Sequence, residues 1–135
     1  MSNHATGPFD VKVAPQPLSG PVEDALLGRF SLEKQYHGDL EGTGNGQMLT
    51  AGSEVKGSAG YVAIERVSGN LHGKAGTFAL MHVGTMGHGQ QHLEIKVVPD
   101  SGTGELVGLA GTFNILIAEG GKHSYDFEYS LPVVK

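Results

Sequence analysis

The chain contains no cysteine, so disulfides, zinc-thiolate centres and thiol catalysis are excluded. It also lacks any apolar run approaching ~20 residues, and its N-terminus has neither the basic nor the apolar segment of a leader. The expected compartment is therefore the cytoplasm, with no membrane partner. No cluster of Lys and Arg occurs, and 14 acidic residues outnumber 9 basic ones, which argues against nucleic acid as a partner. Catalytic signatures are missing too. There is no Gly-x-Ser-x-Gly elbow to carry a nucleophilic triad, and Ser101-Gly-Thr-Gly104 lacks the Lys and the helix of a phosphate loop. His88, His92 and Glu94 have a loosely metal-like spacing, but Gly87 and Gly89 spoil a helical His-x-x-x-His geometry, so no metal is expected. No cofactor is expected either.

Glycine is what the chain has in excess, 22 in 135 residues, without a collagen-like period. Between the glycines, apolar residues alternate with polar ones, which indicates short strands. Residues 1–8 are polar and expected to be disordered, and residues 9–135 form one domain. Phe9 to Val13 alternates as a strand, and Pro15, Pro17 and Pro21 then suggest an irregular crossing segment. A helical turn at most is expected over 24–27. From Gly28 to Leu40 a strand places Phe30, Leu32, Lys34 and Tyr36 on one face, and Asn45-Gly46 is expected to turn the chain back. His123, Tyr125, Phe127, Tyr129 and Leu131 share the dry face of the last strand.

The stretch from Tyr61 to Met86 reads as a hairpin turning at Gly73-Lys74, glycine supplying the positive φ of a type II′ loop. That register sets Glu65 opposite His82, with Cβ atoms roughly 5 Å apart. Their face also carries Tyr61, Ala63, Val67, Phe78, Leu80 and Met86, and the other carries Val62, Ile64, Met81 and Val83 among polar residues. Gly69 to Phe78 recurs as Gly104 to Phe113, and Gly38 to Gly42 echoes its opening, which implies three similar hairpins. Six to eight antiparallel strands make a sandwich or a barrel, and a barrel removes exposed edges.

Several stretches resemble a bacterial family of unknown function with an allene oxide cyclase-like barrel: Gly60 to Gly69, Gly76 to His82, Val97 to Leu106 and His123 to Tyr129. The resemblance implies an all-β, closed antiparallel β-barrel of about eight strands with an interior pocket, in a homo-oligomer. It implies no catalytic residue by position, because none of the cyclases' catalytic positions matches.

The expected site is therefore a pocket for a small apolar or aromatic molecule. Glu65 and His82 are the candidate catalytic pair: burial raises the Glu65 carboxyl, the imidazole holds it ionised or takes its proton, and Glu65 removes a proton from a carbon acid while His82 orients or relays. Phe30, Lys34, Tyr61, Phe78, Leu80, His123, Tyr125, Phe127 and Tyr129 are the candidate ligand contacts. The reaction compatible with these groups is a cofactor-free isomerisation, cyclisation or lyase step. The alternatives are a non-catalytic carrier or sensor, and a structural oligomer with a filled barrel, in which Glu65 satisfies His82, Lys34 or Arg66 and the tyrosines reach backbone or water.

Overall fold

A computed structural model describes residues 3–18 and 25–132. Eight antiparallel strands close into a barrel in simple sequence order, β1 meeting β8. They are β1 (Asn3–Gln16), β2 (Leu27–Tyr36), β3 (Leu40–Gly52), β4 (Ala59–Leu71), β5 (Lys74–Gly87), β6 (Gln90–Val97), β7 (Ala110–Ile117) and β8 (His123–Ser130). The only helical element among the described residues is a short 3-10 turn at Gly104–Leu106. Among the described residues no helix is long and apolar enough to cross a membrane. The all-β fold expected from the alternating pattern, and the closed barrel of about eight strands implied by the family resemblance, are what is observed.

Several boundaries differ from expectation, each for a physical reason. The N-terminus is not frayed from residue 3 onward, because Asn3 to Phe9 pairs with β8 and closes the barrel. β1 also runs through Pro15 to Gln16. There it pairs with β2 but no longer with β8, so a residue without an N–H is tolerated. Pro21 and Asp24 lie outside the described residues.

The β2–β3 hairpin turns at Gly38, not at Asn45-Gly46, which lies inside β3. Glycine is used there for space rather than for bending. A Cβ on Gly44 would stand 2.3 Å from Glu65 Oε2 and 3.0 Å from the Tyr36 ring. The second copy of the Gly-Thr-Phe repeat does not form a hairpin. Its first half is the 3-10 turn and only its second half enters β7, with Leu106 and Leu109 buried.

The central hairpin turns at His72-Gly73, one residue earlier than expected, with φ of 49° and 82°. Both values are positive, the requirement of a type I′ loop, and histidine is among the residues that tolerate the left-handed region. His88-Gly89 repeats the device between β5 and β6. Moving the loop by one residue moves every cross-strand partner by two, so Glu65 faces Leu80 and His82 faces Ala63. A shift of two preserves which side chains share a face.

The two halves of the barrel differ. Around the turns at Gly38 and His72 the interior is solid: Leu40, Leu71, Phe78, Phe113, Tyr125 and Phe127 are buried. Phe78 stacks on Phe127 and Phe113 on Tyr125, with ring centroids 5.8 and 5.4 Å apart. Toward the other end, Val13, Met86, Leu93 and Ile117 continue the inward-facing register of Phe9, His82, Ile95 and Phe113. Yet they remain between 46 and 68% exposed. This end is an open, apolar mouth.

Candidate functional site

Glu65, His82 and Lys34 meet inside the barrel where the solid half gives way to the mouth. β4 brings Glu65, β5 brings His82 and β2 brings Lys34, each at an inward position of its strand. Glu65 Oε1 accepts from Lys34 Nζ and from His82 Nε2, both at 2.8 Å, and Oε2 accepts from the Tyr36 hydroxyl at 2.8 Å. The side chains of Lys34, Glu65 and His82 are 5, 0 and 4% exposed. Lys34 Nζ also lies 5.5 Å from the centre of the Phe9 ring and 5.9 Å from that of Tyr36, within cation–π range.

Burial alone would push the Glu65 carboxyl up. The His82 hydrogen bond and the Lys34 charge together outweigh it, and the carboxyl is held down at about 2. Glu65 is therefore ionised, and His82 must carry its proton on Nε2 in order to donate. Burial pushes the Tyr36 hydroxyl well up, and the Glu65 charge and hydrogen bond add to it, so Tyr36 stays a donor. Lys34 Nζ and Glu65 Oε1 form a buried ion pair. Among the described residues, every buried side-chain nitrogen or oxygen has a hydrogen-bond partner. His82 makes its bond through Nε2, so Nδ1 is the ring nitrogen that keeps solvent contact.

The expected pair is thus present, on a diagonal rather than directly opposed, and the expected direction of the Glu65 shift is reversed. The reversal follows from the His82 hydrogen bond within the hairpin together with Lys34, which that hairpin does not contain. Lys34 and Tyr36 arrive on β2, 31 and 29 residues away in sequence.

A fold of this kind is known from a crystal structure. The chain is 45% identical to a protein of unknown function from Shewanella oneidensis MR-1, assigned to the DUF3224 family. The two structures agree with a TM-score of 0.90 over 99% of this chain and 100% of that one. Residues 5–129 match the DUF3224 family, proteins of unknown function. The chain belongs to the DUF3224 family. No curated protein matches it.

In this DUF3224 barrel the remaining candidates divide between the two halves. Phe78, Leu80, Tyr125, Phe127 and Tyr129 belong to the solid half. The Tyr125 hydroxyl donates to the His37 carbonyl at 2.7 Å and accepts from the Leu40 amide at 2.8 Å. Tyr129 is hydrogen-bonded to His72 Nδ1. Phe30, Tyr61 and His123 are half-buried at the open half. The Tyr61 ring lies where a Cβ on Gly84 would stand, 2.2 Å away.

Tyr36 and Phe9 were not among the expected site residues. Tyr36 had a signal, since it shares a face with Lys34 two residues along β2. Phe9 had none, because its approach to Lys34 depends on β1 closing the barrel.

The barrel wall is interrupted at two places. β1 outruns β8: their pairing ends at Phe9 and His123 while β1 continues along β2 to Gln16. A cleft of about 600 Å³ lies in the gap, with Phe9, Val11 and His123 in its wall. The Phe9 and His123 rings pack there at a tilt of 57°, with centroids 5.3 Å apart. Two strands further round the barrel, β6 pairs with β7 at Lys96 and Thr112 alone, and Leu93 and Ile117 stand exposed above that pair.

Proposed function

We propose that this barrel binds a neutral, largely apolar small molecule in its open half, above the Lys34–Glu65–His82 cluster. One observation carries the reading: Val13, Met86, Leu93 and Ile117 occupy inward positions yet are about half exposed or more. Aliphatic residues that face a barrel axis and still meet water line an apolar container, as in ligand sites. The cleft beside Phe9 and His123 has a volume within the range of small-molecule sites. The floor selects against charge. Lys34 is already neutralised by Glu65 at 2.8 Å, so an anion gains no free cation and loses its hydration.

A neutral fluorescent probe, Nile red, tests this. Binding should be lost in Ile117→Arg, which places a charge in the mouth, and retained in Val62→Asp on the outer wall. The reverse pattern, or no binding by the native chain, contradicts the reading.

The Glu65–His82 bond favours a second, catalytic version of the same site. With its carboxyl held at about 2, Glu65 is a weak base, and the roles expected from sequence exchange. His82 Nδ1 takes the proton of a carbon acid, the C–H electron pair stays on the substrate as an enolate, and Glu65 stabilises the imidazolium that forms. Returning the proton to a different carbon completes an isomerisation without a cofactor. Exchange of the α hydrogens of 2-tetralone in deuterium oxide measures the first half. It should depend on His82 and vanish in His82→Gln; a rate equal to that of buffer leaves the barrel a carrier.

A further inference from the structure

On the outer wall, β3, β4 and β5 present Leu49, Val62, Ile64, Met81 and Val83 side by side, each 38 to 56% exposed. The register makes the patch continuous. Leu49 pairs with Val62, Val62 with Val83, and Ile64 with Met81. The solvent face of an antiparallel sheet is normally polar, and contiguous aliphatic surface of this kind marks an interface. A shallow groove of about 400 Å³ runs along the upper edge of the patch beside Leu27 and Tyr61.

The charges around the patch indicate what covers it. The aliphatic residues lie in two adjacent rows across the sheet, each row ending on β6. The upper runs Leu49, Val62, Val83, Glu94; the lower runs Gln47, Ile64, Met81, Lys96. The two end residues have opposite charge and their side chains are already 2.7 Å apart.

We propose that this face docks onto the same face of a second copy of the chain, about a two-fold axis that crosses the strands between the two rows. Such an axis lays the upper row of one copy on the lower row of the other. Val62 then meets Ile64, Val83 meets Met81, and Glu94 meets Lys96 twice, so that the two ion pairs join into a ring of four alternating charges. An axis running along β4 instead sets the exposed Arg66, next below Ile64 on the same face, against its own copy. Like charges at an interface are costly, so the crossing axis is favoured.

Sedimentation equilibrium of the full chain tests the proposal, with circular dichroism to establish that each variant is folded. The native chain is a dimer at tens of micromolar. Val62→Asp, at an exposed position, keeps the barrel and weakens the dimer at least a hundredfold. Glu94→Lys weakens it about tenfold by opposing two lysines, and the double exchange Glu94→Lys with Lys96→Glu restores it. A native monomer at that concentration, or a dimer indifferent to Val62→Asp, overturns the interface. A dimer weakened by Val62→Asp but untouched by Glu94→Lys overturns the axis.

Discussion

Glu65 Oε1 and His82 Nε2 are 2.8 Å apart although the two residues are not cross-strand partners. Glu65 pairs with Leu80, and His82 reaches it along the diagonal of the β4–β5 ladder. Diagonal neighbours on a sheet face are within reach of a long side chain. The contact therefore places a carboxylate under three donors in a space where none of the four groups is free to leave.

Removing the carboxylate's charge exposes how strongly the cluster is coupled. Glu65→Gln leaves the Lys34 ammonium buried without a counter-charge, and loss of one member of a buried pair costs about 3 kcal/mol or more. Replacing both, Lys34→Met with Glu65→Gln, removes the stranded charge. Urea unfolding should show the double variant closer to the native chain than Glu65→Gln is.

The same cluster sets an acid limit. Folding holds the Glu65 carboxyl at about 2, below its ordinary 4.5, so between those values the native state binds fewer protons than the unfolded chain. The stability this contributes, on the order of 3 kcal/mol, is complete above pH ~4.5 and is lost as pH falls toward ~2. Thermal unfolding across that window should lose this dependence in the Lys34→Met, Glu65→Gln double variant.

Gly44 should be among the least replaceable positions of β3. Alanine there drives a methyl group into Glu65 Oε2 and the Tyr36 ring, and overpacking of this kind typically costs about 1–3 kcal/mol. Gly73→Ala, where a Cβ meets open space, suffers only from its φ of +82°. The two variants separate under acid: in Gly44→Ala the pH dependence assigned to Glu65 changes, and in Gly73→Ala it does not.

Hydrogen exchange should find the barrel's weakest junction between β6 and β7. Above the Lys96–Thr112 pair, the amides of Leu93 on β6 and of Ile115 and Ile117 on β7, which face the unpaired junction, are expected to exchange faster than those of the β3–β4 ladder, which is paired from Leu40 to Gly52. Uniform protection around the barrel would mean that β6 and β7 pair fully in solution.

Much of this was legible from alternation alone. The period of two placed Lys34 with Tyr36, Glu65 with Val67, and Phe127 with Tyr129 on common faces; it left a sandwich or a barrel open, and the family resemblance decided for the barrel. What sequence could not supply was the purpose of each glycine. Gly38 and Gly73 bend the chain, whereas Gly44 and Gly84 only make room for Glu65, Tyr36 and Tyr61. The two uses look identical until neighbouring strands are in place, which is why Asn45-Gly46 reads as a turn and is strand. The Glu65 shift was hidden for a related reason. Burial and the His82 hydrogen bond are visible in one hairpin, but the lysine that helps His82 outweigh burial comes from another one.

The most direct test of the proposed site is a methyl-resolved NMR titration with the neutral ketone 2-tetralone. Binding in the open half predicts progressive shifts at Val13, Met86, Leu93 and Ile117 and at the His82 ring, with Val62 and Ile64 unchanged. Shifts confined to Val62 and Ile64, or absent throughout, would contradict a ligand site inside the barrel.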